Sequence, residues 1–450
     1  MQTSIRTEFR EFLRLAIPLA SAQVAQSATG FVDTVIMGRL GSEILAAGGL
    51  GAITFTALLN TISGVVIGVS PLVAEAYGAG CKTRVEQVAR QGLWLSLLLA
   101  IPVMFLLGNI DLLMRQFGQQ ATTVALAKTY LDIMLWGLFP ALAFATLRSF
   151  VSGLSHARPV MVIVIGGTLF NIAGNYVLGL GKLGFPALGL RGLAWASILS
   201  LWGMFLSLVI YILKHKKLKA YRLFENLHQL QLPIFRELVV VGAPIGVSAA
   251  LETGLFTVVT YLMGALGTVV LAAHQIVLQT IIVIFMVPLG MSFATTVRVG
   301  QWNGQKNLAA ARQAGYVGIG SGVVFMTMMA IALLVFPQQV IGLYIDVRAS
   351  ENASVLTLVM PMLTIAAVAQ ILDSVQKTAS GALYGLKDTR VPMFISFCTF
   401  WGIGLTTGYL LGFHFGLGGT GLWLGQSIGV AIAAGVFLWR YRQLSLSKSW

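Results

Sequence analysis

Apolar residues run along this chain in long stretches broken by short polar segments. Twelve such stretches stand out, near residues 13–37, 45–73, 91–110, 129–151, 159–180, 192–213, 238–263, 269–297, 315–336, 355–382, 391–412 and 420–440. A helix needs about 20 mainly apolar residues to cross the hydrocarbon core of a bilayer, and these stretches supply them. They lack the short alternation of barrel strands. The pattern predicts an all-α polytopic membrane protein with twelve transmembrane helices. One stretch departs from the rest. Ala22 to Leu40, AQVAQSATGFVDTVIMGRL, carries Gln23, Gln26 and Asp33. Gln26 and Asp33 lie two helical turns apart and share a face. A carboxylate in mid-membrane costs about 2.5–3.5 kcal/mol on insertion scales. Two readings offset that cost: a hydrogen bond to a neighbouring helix that holds the bundle together, or a cation or substrate site.

The pattern also repeats. FREFLRLAIPLASAQVAQSATGFVDTVIMGRLGSEILAA aligns with FRELVVVGAPIGVSAALETGLFTVVTYLMGALGTVVLAA. Phe9, Arg10 and Glu11 fall on Phe235, Arg236 and Glu237, Pro18 falls on Pro244, and Gln26 falls on Glu252. Asp33, by contrast, falls on Val259. Further matches pair Gly68 with Gly290, Gly78 with Gly300, Arg90 with Arg312 and Gly153 with Gly385. Six spans per half, an even number, send both copies into the membrane the same way, so the repeat is parallel. The expected division is an N-terminal six-helix lobe over 1–213, a cytoplasmic linker over 214–237 and a C-terminal six-helix lobe over 238–450. Two such lobes suit a transporter that exposes a cleft to alternate sides.

Composition agrees. The chain is 57% hydrophobic and 10% charged, against about 25% charged in soluble domains. Its net charge of +14 would point to nucleic acid in a soluble protein. Here the charges sort by loop. One set holds Arg6, Arg10, Arg14, Lys82, Arg84, Arg90, Lys214, Lys216, Lys217, Lys219, Arg298, Lys387, Arg390, Arg440 and Lys448 among others, and the alternate loops hold few. The positive-inside rule places that set, and both termini, in the cytoplasm, and removes the nucleic-acid reading. The Lys cluster of the linker is a topology signal or a contact with anionic lipid head groups. Two cysteines, Cys81 and Cys398, imply no disulfide framework. The chain is expected in the cytoplasmic (inner) membrane, as a monomer.

Three acids lie well inside apolar runs: Asp33, Glu252 and Asp373. Glu252, in ALETGLF, has no basic neighbour one turn away on its own helix. It suits a proton carrier, a small cation held by several oxygens, or a packing hydrogen bond. Asp373 has Lys377 four residues on, a candidate ion pair. Asn171 and Asn175 share a face in the fifth span; they either bond between helices or join Asp33 around a cation. Gln275 and Gln279 add polar groups to the eighth span, as pocket lining or interface. Phe31, Phe256, Tyr261, Phe285 and Trp401 are available aromatics. No Walker loop, zinc spacing or catalytic triad is present, so no enzyme activity and no cofactor are expected, and transport must draw on an ion gradient.

GFVDTVIMGRLG, VSPLVAEAYGAG and LRSFVSGLSHARPVMVIVIGGTLFNIAGNYVLGLGKLGFPALGLRGLAWASI resemble the multidrug and toxic compound extrusion (MATE) transporters, over both halves. The resemblance implies two pseudo-symmetric six-helix lobes arranged in a V. It implies export of cationic, amphipathic organic compounds, drugs among them, in antiport with Na+ or H+. Glu252 and Asp373 look like the carboxylates of the NorM-like branch, and Asp33 like the family's first-span aspartate. Asn171 and Asn175 match its N-lobe cation site, where the DinF-like branch has Asp at the second position. Ser197 stands near where some relatives have Thr. Cation coupling is thus expected at Asp33, Asn171, Asn175, Glu252 and Asp373, with Na+ held by the three carboxylates if sodium is the ion. Substrate contact is expected at Gln26, Asp33, Glu252, Gln275, Gln279 and Asp373. The alternative is a lipid-linked oligosaccharide or lipid flippase of a related superfamily, which would call for a basic cleft.

Overall fold

A computed structural model describes residues 4–116 and 120–447. Lys448, counted above with the cytoplasmic charges, lies outside them. The described residues form twelve long helices and no strand. They are α1 (Ile5–Leu40), α2 (Ser42–Gly78), α3 (Lys82–Gly108), α4 (Ala121–Gly153), α5 (Ala157–Gly179) and α6 (Leu190–Lys214). The second set is α7 (Leu232–Ala265), α8 (Thr268–Gly304), α9 (Leu308–Val335), α10 (Ser350–Gly385), α11 (Arg390–His414) and α12 (Gly418–Ser447). Each expected span coincides with one of these helices, nine lying wholly inside and 91–110, 159–180 and 315–336 passing the helix end by one or two residues. Eleven of them are long and apolar enough to cross a membrane. The exception is α1. Its 36 residues reach about 54 Å at 1.5 Å each, but Gln23, Gln26, Asp33 and Arg39 dilute its apolar run. Large side chains such as Phe105, Val162 and Leu169 are exposed on the outside of the helices, as suits a lipid solvent.

The helices gather into two compact units. One holds residues 21–246; the other holds 1–20 and 247–450. The boundaries fall within α1, after Ala20, and within α7, after Gly246. These two positions are repeat-mates, at the same offset as Pro18 and Pro244.

In the unit of residues 21–246, the first half of α7 packs on α2 through glycine. A Cβ on Gly242 would stand 2.0 Å from the Val65 carbonyl oxygen, and one on Gly64 would stand 2.6 Å from the Gly246 Cα. Only small residues allow backbones this close, and that contact replaces the hydrophobic drive that lipid does not supply. Arg84 donates two 2.8 Å hydrogen bonds to Glu237 at the start of α7. The connection after α6 contains a short helix, Lys216–Lys219. Beyond it the chain is strapped to α3. Arg90 donates to the Leu223 and Arg222 carbonyls, Gln91 Nε2 to the Gln229 carbonyl and Trp94 Nε1 to the Leu227 carbonyl.

The other unit shows the mirrored contact. A Cβ on Gly290 of α8 would stand 2.3 Å from the Ala20 Cα of α1. Near the start of α1, Glu8 is 1% exposed and accepts 2.8 and 2.6 Å bonds from Arg298 and a 3.0 Å bond from Trp302 Nε1. Helices α11 and α12 meet backbone to backbone where Gly404, Gly408 and Gly412 face Gly429, Gly425 and Gly421. Cys81 and Cys398 are both free.

Candidate functional site

The polar residues of the opening stretch go to different tasks. Gln23 is buried and accepts a 3.1 Å bond from Arg148 of α4. Gln26 is exposed and makes no hydrogen bond among the described residues. Asp33 is half-buried and faces α5.

Helices α1 and α5 run side by side, joined first by hydroxyls. Thr29 donates to Thr168 at 3.2 Å, and Thr168 donates to the Ala25 carbonyl at 3.3 Å. This pairing sets the register one turn later on α1 and two turns later on α5. There Asn175 Nδ2 donates to Asp33 Oδ1 and, at 3.0 Å, to Asn171 Oδ1. Asn171 Nδ2 in turn donates to Ser197 Oγ of α6 at 3.1 Å. The chain of bonds runs Asp33, Asn175, Asn171, Ser197. Asn175 begins a π-helical turn, Asn175–Gly179, a distortion found often at functional positions. Asn171 and Asn175 are almost fully buried, and Asn175 Oδ1 has no hydrogen-bond partner within the protein. A carboxylate beside an unpartnered carbonyl oxygen is a donor set suited to a small monovalent cation; it has neither the nitrogen nor the sulfur a transition metal prefers. Among the described residues no three His, Cys, Asp or Glu gather as for a metal ion.

The second carboxylate group lies within residues 247–450. Lys377 Nζ of α10 donates a 2.6 Å bond to Glu252 Oε2 of α7 and lies 5.6 Å from the centre of the Phe285 ring of α8. This corrects the sequence expectation: Lys377 pairs across helices with Glu252, not along its own helix with Asp373. The reason is local. Ser292 Oγ and Thr296 Oγ1 of α8 donate to the carbonyls of Lys377 and Gly381, at 2.7 and 2.8 Å. A Cβ on Gly381 would stand 2.5 Å from Ser292. Helices α8 and α10 therefore close tightly, and the close packing turns the Lys377 stem towards α7. Trp401 Nε1 of α11 fixes α7 beside the acid by donating to the Leu251 carbonyl at 3.0 Å.

Asp373 accepts no hydrogen bond among the described residues and lines a small cavity with Phe256, Gln370, Trp423 and Gln426. Gln275 is half-buried and Gln279 exposed, and neither bonds to the acids. Of the aromatics, Phe285 lies under Lys377 and Phe256 lines the cavity, while Phe31 and Tyr261 are exposed. Sequence reasoning missed Arg148, the Glu8–Arg298–Trp302 group, and Trp423 with Gln426. A lone Arg inside FATLRSF was a legible signal for the first; nothing in the sequence marked the others.

Twelve long helices in two repeated halves, with acids held inside the spans of both, are the make-up of an integral membrane transporter. The MatE family model matches the chain twice, over residues 18–177 and 244–410, starting at the repeat-mates Pro18 and Pro244. The chain belongs to the MatE family. It is 54% identical over 448 residues to the probable multidrug resistance protein NorM of Synechocystis sp., covering 100% of this chain and 97% of that one. It is 40% identical to the probable multidrug resistance protein NorM of Pseudomonas aeruginosa, covering 96% and 89%. In fold it resembles the outward-facing conformation of a multidrug resistance MATE family transporter of the MOP superfamily, with a TM-score of 0.89, 24% identity and coverage of 98% and 97%. It also resembles a MOP superfamily transporter from Pyrococcus furiosus, with a TM-score of 0.85, 22% identity and coverage of 97% and 96%.

Proposed function

We propose that this protein is a secondary active multidrug efflux transporter that exports cationic, amphipathic organic compounds in antiport with Na+ or H+. It works by alternating access in the cytoplasmic (inner) membrane, with both termini in the cytoplasm. The observation that carries the reading is the placement of Asp33, Glu252 and Asp373 inside apolar helices, where a fixed negative charge is tolerated only if it serves or is partnered. Asp33 with Asn175 and Asn171 offers oxygen ligands to a coupling cation. Glu252 and Asp373 offer two negative charges against the single ammonium of Lys377, leaving a net attraction for an organic cation. Antiport follows where drug and coupling ion compete for one of these carboxylates. The NorM names of the relatives support the substrate class. The flippase reading requires cationic side chains in the spans free to meet pyrophosphate; Lys377 is engaged by Glu252, and no observation favours that reading.

The test is efflux of a fluorescent organic cation from intact cells. Asp33→Asn, Glu252→Gln and Asp373→Asn are each expected to lower efflux while the amount of protein in the membrane stays similar. Full efflux by all three variants would sink the assignment.

A further inference from the structure

Among the described residues of 247–450, only three charged side chains lie deep within the helices: Glu252, Asp373 and Lys377. The others stand near helix ends or between helices, and Arg298 of α8 is taken up by Glu8. The three form an unequal set. Two negative charges and one positive leave one negative charge in excess. The ammonium is fixed by three helices. Ser380 Oγ of α10 and Ser292 Oγ of α8 both donate to the Lys377 carbonyl, at 2.8 and 2.7 Å, and hold the start of its stem. At the other end Nζ bonds Glu252 Oε2 of α7 at 2.6 Å and lies 5.6 Å from the centre of the Phe285 ring. The carboxylates are not used up. Glu252 Oε1 and both oxygens of Asp373 accept no hydrogen bond among the described residues. Asp373 stands four residues back, about 6 Å along α10, without a bonded partner. The Lys377 and Glu252 side chains are 18% and 21% exposed, so the pair is open on one side. An ion pair kept only for packing would be closed and would balance its charges; this one is neither.

We infer that Lys377 sets the charge class of the substrate: standing with Glu252 and Asp373, its ammonium matches the site to an organic monocation and disfavours a dication. The inference rests on the proposed efflux of organic cations and deepens it by naming the substrate's charge. The selection is Coulombic. The one positive charge of a monocation meets the free oxygens of Asp373, while Lys377 keeps Glu252. A second positive charge finds no free carboxylate and feels the ammonium. At about 10 Å and an effective dielectric constant of about 20, that repulsion weakens binding on the order of tenfold. Without the ammonium, Glu252 is released and two carboxylates face the substrate, which suits two positive charges. Lysine fits this task better than arginine would fit a structural bridge, because its ammonium is a compact point charge and occupies only one of the two Glu252 oxygens.

The experiment is equilibrium binding to the purified full-length protein in nanodiscs of zwitterionic lipid, read by fluorescence polarisation. The probes are ethidium and propidium, which share one phenanthridinium ring system and carry one and two positive charges. The readout is the propidium Kd divided by the ethidium Kd, so that differences in size and apolar contact cancel between variants. Lys377→Met is expected to lower this ratio about tenfold or more, and Lys377→Arg, which keeps the charge, to leave it within about twofold. Lys377→Met also strands Glu252, so the ammonium is removed a second time where no carboxylate is orphaned. Glu252→Gln/Lys377→Met is expected to show a ratio about tenfold below that of Glu252→Gln alone. A role confined to packing would move both dyes together and leave the ratio alone. A ratio unmoved by loss of the ammonium in both backgrounds, or moved as far by Lys377→Arg as by Lys377→Met, would overturn the inference and leave the efflux reading standing. Wild-type protein that binds neither dye would overturn the organic-cation reading of the site, and the inference with it.

Discussion

Replacing Lys377 by Met removes the ammonium group and keeps most of the stem. In the intact protein Nζ lies 2.6 Å from Glu252 Oε2, with the two side chains 18% and 21% exposed. At that distance the Coulomb attraction is about 6 kcal/mol for an effective dielectric constant of about 20. Most of it offsets the desolvation of the two charges, so the pair itself adds little net stability. Removing one partner is different, because Glu252 is left charged and alone. The expected loss for Lys377→Met is about 3–5 kcal/mol. Glu252→Gln combined with Lys377→Met leaves no unpaired charge and should return to within about 1–2 kcal/mol of wild type. Glu252→Gln alone keeps an amide oxygen for the Lys377 ammonium and should cost about 1 kcal/mol, so the double-mutant cycle should give a coupling of about 3 kcal/mol. The matching cycle with Asp373→Asn should give only about 0.5 kcal/mol, the value for an ordinary helix neighbour. The assay is unfolding of the purified protein in mixed micelles by added SDS, followed by circular dichroism. Additive effects for Glu252 with Lys377, or a larger coupling for Asp373 with Lys377, would refute the cross-helix pairing.

Other expectations follow from the packing. Gly381→Ala puts a Cβ 2.5 Å from Ser292 and should cost about 1–3 kcal/mol by overpacking, read in the same SDS titration; Gly320→Ala, which meets nothing within 4 Å, should cost little. Glu8→Gln leaves Arg298 without its carboxylate and should lower stability by about 3–5 kcal/mol, seen as a lower melting temperature in detergent; an unchanged value would mean the group is not buried in the folded protein. Trp94→Phe removes the bond to the Leu227 carbonyl and should cost about 1 kcal/mol locally. Limited proteolysis should then cut within residues 220–231 faster than in wild type, with no change in the far-ultraviolet spectrum.

The fold was legible because a membrane chain writes its helices as apolar length. Each expected span coincides with an observed helix to within two residues or lies inside it, and most helices overrun their spans at polar ends, as α7 does by starting at Leu232 and α8 by ending at Gly304. The duplication was legible from Pro18 with Pro244 and from paired glycines, because backbone contacts such as Gly290 on Ala20 admit no other residue class. Asp33 with Asn175 and Asn171 was legible because expensive groups at helical spacing on two helices must find each other. The Glu252–Lys377 pair was not. Spacing along one helix favoured Asp373, and only the rotation of α10 set by Ser292 and Gly381 decides otherwise. Trp423 and Gln426 were hidden for a plainer reason: one aromatic and one amide in an apolar span carry no sequence signal until the cavity brings them to Asp373.

The central claim is that acids held in the spans couple drug export to an ion gradient. It is tested most directly in proteoliposomes, with transport of a fluorescent organic cation followed under Na+ and pH gradients imposed separately. The account predicts saturable transport driven by one of the gradients and lost in Glu252→Gln and Asp373→Asn. Transport that proceeds equally without either gradient, or at the wild-type rate in both variants, would contradict it.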